Sequence, residues 1–164
     1  MSKHRRALVA GLVLSLAAVL LFPGVLTAEE KKEMGGWEKD GPYNKLYKMS
    51  EFDQFKATIK EIIEVTPLPG MAPGVGLIIT TDDGEEVQVH LGPTWFIRNL
   101  KFRPGDKVRI RGAWAEYKGK EFFMAAKIKM RGDESVELKV RLTKDGTPFW
   151  TMSATDLVEE KDDF

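Results

Sequence analysis

Two stretches of this chain carry a basic residue at every second position: Lys107, Arg109 and Arg111, then Lys127, Lys129 and Arg131. Val108, Ile110, Ile128 and Met130 stand between them. A period of two marks a half-buried strand, and Lys118-Gly119-Lys120 between the stretches reads as the turn of a hairpin. Opposed residues of an antiparallel pair share a face, so register must match apolar with apolar. Pairing Tyr117 with Glu121 does this, setting Ile110 opposite Ile128, Val108 opposite Met130 and Trp114 opposite Met124. The same register sets Arg111 opposite Lys127, Arg109 opposite Lys129 and Lys107 opposite Arg131, with Phe123 pointing outward beside them. Directly opposed like charges destabilise a sheet by up to about 1 kcal/mol per pair. The long stems could splay into water, neutralised by Glu64, Glu85 or Glu86. Alternatively, the face receives an anionic partner: a small ligand, a polyanion, an acidic protein segment, a lipid headgroup or the chain's own acidic tail. Only in the second reading is the chemistry of these residues binding.

The other reactive side chains do not converge. His90 falls on the polar side of a strand, but a metal site needs several ligands together. No second histidine follows it, and the chain has no cysteine. Asp82-Asp83 and Glu85-Glu86 flank a turn glycine without the spacing of a calcium loop. No nucleophile elbow, phosphate loop or dinucleotide fingerprint occurs. The expectation is therefore no enzyme, no catalytic residue, no metal and no cofactor.

The elements that position the basic rows read as strands. Phe55 to Val65, Gly76 to Thr81 and Glu86 to Leu91 precede the hairpin, and a short strand from Val136 to Leu142 follows it. Asp82-Asp83-Gly84 is a tight turn, since Asp-Gly tolerates the positive φ such turns demand. Thr66 to Gly74 is too rich in proline for regular structure. Thr94 to Leu100 has room for one or two helical turns. Five principal strands, with a short helical segment between the third and fourth, predict an all-β, OB-like five-stranded Greek-key barrel. Another small barrel or a β-sandwich is the alternative.

The ends set the context. Lys3, Arg5 and Arg6 precede 22 uncharged residues, Ala7 to Ala28, interrupted by Pro23-Gly24. That order reads as a signal peptide over 1–28, or an uncleaved anchor, and predicts a periplasmic or envelope protein. Residues 29–50 read as a flexible arm with Trp37, Tyr43 and Tyr47 as anchors, 51–152 as the barrel domain, and 153–164 as a solvated acidic tail. Without the three N-terminal cations, 22 basic side chains face 25 acidic ones, a net charge near −3. Nucleic acid, which rewards basic surfaces, is accordingly not expected as a partner. An envelope protein is, and a membrane only through an uncleaved N-terminal segment.

Val89-His90-Leu91-Gly92-Pro93-Thr94-Trp95-Phe96, then Pro104-Gly105-Asp106-Lys107-Val108, then Asp145-Gly146-Thr147-Pro148-Phe149-Trp150 together resemble a known group. They are similar to small exported bacterial OB-fold proteins related to the magnetosome MamS/MamX-type domain, over roughly residues 52–152. The resemblance implies an envelope-located, non-enzymatic accessory domain. Haem-bearing relatives use Cys-x-x-Cys-His motifs; with no cysteine here, electron transfer does not carry over.

Overall fold

The computed structural model describes residues 33–159. The signal or anchor assigned to 1–28, the first residues of the arm and tail residues 160–164 lie outside that range. The described chain is built on β1 (Phe52–Val65), β2 (Gly74–Thr81), β3 (Glu86–Pro93), β4 (Lys107–Tyr117), β5 (Lys120–Met130) and β6 (Glu137–Lys139). Sheet order is β3-β2-β1-β4-β5-β6, and a parallel contact between β3 and β5 closes five of these strands into a ring.

Closure depends on β1 serving two neighbours. Its first half pairs with β4, from Phe52 opposite Ala113 to Thr58 opposite Lys107. Its second half pairs with β2, from Ala57 opposite Thr81 to Val65 opposite Gly74. The register slips by one residue between Ile59 and Glu61. A bulge of this kind bends and twists a strand, which lets one long strand turn from one neighbour to the next. Alternation then lines the inside of the ring with Ala57, Ile59, Leu77, Ile79, Val87, Val89, Val108, Ile110 and Ile128, all buried.

Two expectations need correction, and a third gains detail. Thr94 to Leu100 holds a single turn, not a helix: the Phe96 and Ile97 amides both reach the Pro93 carbonyl, at 2.9 and 3.0 Å. Ile97 and Phe102 are both buried. The arm, over its described part, belongs to the core. Trp37 and Tyr43 are fully buried, and the Trp37 ring lies where a Cβ on Gly74 would stand. The tail begins as α1 (Ala154–Glu159). It opens on a reciprocal cap in which Ser153 donates to Asp156 and the Asp156 amide donates to Ser153 Oγ at 3.2 Å.

Candidate functional site

The six cations share one outer face. Arg109 stands opposite Lys129 and Arg111 opposite Lys127, while the Arg131 amide donates to the Lys107 carbonyl at 2.8 Å. On the far side of β4, Lys56 stands opposite Arg109 and Gln54 opposite Arg111. On the far side of β5, Lys139 stands opposite Lys127 and Glu137 opposite Lys129. Lys127 therefore has a cation directly across from it on both sides.

Asp53, Asp82, Asp83 and Glu85 line a neighbouring pocket together with Arg109 and Lys56, but few carboxylates form ion pairs with these cations. Glu137 alone reaches Lys127, Lys129 and Lys139, at 3.5, 3.5 and 3.2 Å. The first two distances are long for charge-assisted bonds, which run near 2.8 Å. Asp82 pairs with Arg131 at 3.1 Å, and Arg111 donates to the Gln54 amide oxygen. Glu86, one expected neutraliser, pairs with Lys60 instead. Burial alone would raise the Glu137 carboxyl, but Lys139, Lys127 and Lys129 outweigh it and hold the group below its usual range. The Lys127 side chain is only 13% exposed. Desolvation keeps its ammonium below the usual lysine value against the pull of Glu137, and Lys139 and Lys129 add to that depression.

Arg109, Arg111, Lys127, Lys129 and Glu134 line a recess of about 230 Å³. Arg109 Nε is buried without a hydrogen-bond partner, although a buried donor normally finds one. Among the described residues Glu134 forms no ion pair with these cations.

Phe123 does not join the face; it is 0% exposed. The predicted register holds from Val108–Met130 to Arg111–Lys127, then slips: Gly112 faces Ala125, Trp114 faces Phe123 and Tyr117 faces Lys120. One extra residue, Ala126, turns every β5 side chain that precedes it to the side opposite the one predicted. Phe123 thus enters the ring against Phe55 and Trp114, with ring centroids 4.8 and 5.1 Å away. The same slip turns Phe122 and Met124 toward the segment before β1. Lys56, Gln54, Glu137 and Lys139 were missed for lack of neighbours: their own alternation was visible, but which strand lay beside which was not.

His90 occupies a different place. It is 3% exposed, stacked on Phe122 at 4.2 Å, and 3.1 Å from Tyr43 Oη through Nδ1. Burial pushes its pKa down to about 4, with Arg141 contributing. Arg141 is itself buried among the Tyr43, Tyr47 and Trp150 rings. It donates to Asn44 Oδ1 at 2.7 Å and the Gly146 carbonyl at 3.2 Å. These are ties between the early segment and the last loop. No group of three or more potential metal ligands occurs among the described residues, and none of their helices is long and apolar enough to cross a membrane.

The family model described as the MamS/MamX magnetosome protein family matches residues 51–135. That span holds β1 to β5 and the whole recess. No curated protein matches the chain, and no solved structure does.

Proposed function

Because the chain belongs to the MamS/MamX magnetosome protein family, we propose that it is a non-enzymatic accessory protein of the cell envelope. In this reading it is a binding module whose working surface is the cationic face of an OB-type barrel. The ring order β1-β2-β3-β5-β4, with one long bent strand shared between neighbours, supports the OB-type assignment. The export-like opening over residues 1–28 supports the compartment.

One observation carries the function: two rows of opposed cations, Arg109–Lys129 and Arg111–Lys127, have Glu137 as the carboxylate shared by their lysines. Away from the face Lys60 pairs with Glu86, and on it Arg131 pairs with Asp82. Here the excess positive charge remains, at a cost that an anionic partner would offset. Ammonium and guanidinium groups hold anions but offer no lone pair for nucleophilic or base chemistry while charged, so the face suits binding.

The test is retention of the full chain on immobilised poly-glutamate, eluted with salt. Wild-type protein is expected to be retained. R109E/K129E is expected to elute at clearly lower salt while keeping its melting temperature within a few degrees. Equal retention of the two proteins would sink the assignment.

A further inference from the structure

Within that face, we propose that the recess between Arg109, Arg111, Lys127 and Lys129 is a site for a phosphate-class oxyanion, a compact tetrahedral group carrying more than one negative charge. The proposal rests on the anion-binding reading above and gives it a ligand chemistry.

Strand geometry sets the spacing. Directly opposed side chains start about 5 Å apart, and successive residues on one face of a strand about 7 Å apart. Four cations therefore stand at the corners of a small rectangle, two guanidinium groups along β4 and two ammonium groups along β5. A linear polyanion meets such an array one or two charges at a time, whereas a compact tetrahedral group can meet all four corners at once. The recess of about 230 Å³ compares with roughly 30 Å³ for each water in the liquid. It holds a small oxyanion with part of its hydration and is too small for a folded segment.

The donors are of suitable kinds. Arginine offers a planar fork that matches phosphate oxygens, and lysine adds compact charge. Lys127 and Lys129 hold Glu137 only loosely, at 3.5 Å, which leaves ammonium protons for a second acceptor. Glu134 is the opposing group, a carboxylate lining the same recess. It penalises weakly interacting anions and narrows the site to those drawn by several cations at once.

Free phosphate and a phosphorylated lipid headgroup present the same chemistry, so the experiment has two arms. In the first, inorganic phosphate is titrated calorimetrically into the full chain in chloride buffer. In the second, the chain is sedimented with phosphatidylcholine vesicles with or without phosphatidic acid. Saturable one-to-one phosphate binding, or sedimentation that requires phosphatidic acid, supports the site and identifies the source. Arg109→Gln and Lys127→Gln are each expected to weaken the interaction at least tenfold. Arg109→Lys, which keeps the charge and loses Nε, should not restore it, and Glu134→Gln should strengthen it severalfold. Melting temperatures measured alongside exclude misfolding. Absence of binding in both arms, or full binding by Arg109→Gln, overturns the proposal. If poly-glutamate retention survives that result, the cationic face stands and only its ligand class falls.

Discussion

His90 is buried where a second ring proton is disfavoured. Gln88 lies 3.2 Å from its Nε2 and Tyr43 Oη 3.1 Å from its Nδ1, so each ring nitrogen has one polar neighbour. Phe122 covers one ring face and the Arg141 cation is close enough to oppose a second charge. The folded pKa of about 4 lies below the ordinary 6.5, so between those values the unfolded chain binds the proton that the folded chain refuses. Stability is therefore full above pH 6.5 and declines as pH falls toward 4. At 1.36 kcal/mol per pKa unit the loss is on the order of 3 kcal/mol. Urea unfolding at several pH values, wild type against His90→Gln, measures it. The variant should show a flatter dependence between pH 7 and 4, with carboxylate contributions common to both proteins. Parallel curves would show that another group carries the effect.

At the scale of elements, the β4–β5 hairpin decides what the cationic face contains. A Cβ on Gly112 would stand 2.1 Å from the Met124 carbonyl oxygen and 2.9 Å from Ala125 Cα. Both are backbone atoms, so no rotamer change relieves the clash. Gly112→Ala should destabilise by 1–3 kcal/mol or somewhat more, the usual range for overpacking, read as a shift in urea midpoint. A neutral substitution would mean that the bulge adjusts freely. The bulge also marks the limit of what the sequence discloses. From Lys107 to Arg111 the apolar partners Val108–Met130 and Ile110–Ile128 admit one register, and that register is found. At Gly112, Ala113, Ala125 and Ala126 the side chains are too small to favour either face, so nothing local announces the extra residue. Phe123 was misassigned for that reason alone. Lys56 and Lys139 were legible as outward residues of strands, but their place beside the hairpin required the strand order, which is set by the closing of the ring.

For the molecule as a whole, the segment before β1 matters more than its composition suggests. Residues 33–50 read as an arm because glycine and charge dominate them, yet Trp37 joins distant parts of the chain. Its indole nitrogen donates to the Ala72 carbonyl at 2.9 Å, and its own carbonyl accepts from Trp150 Nε1 at 2.8 Å and Asn44 Nδ2 at 2.9 Å. Asn44 in turn accepts from Arg141. Arg141 follows β6 closely, and β6 supplies Glu137 and Lys139 to the cationic face, so the segment anchors the loop that positions that edge strand. Removing a fully buried tryptophan ring costs about 3–5 kcal/mol, against a total stability of roughly 5–15 kcal/mol for a domain. Trp37→Ala should thus lower the melting temperature by many degrees or leave the chain largely unfolded, as followed by circular dichroism. Limited proteolysis of the wild type gives an independent check on the same point. If residues 33–50 fold with the ring, they are cut together with it. Early cleavage confined to 33–50, leaving a stable folded remainder, would restore the arm as an appendage and remove the link from Trp37 to β6.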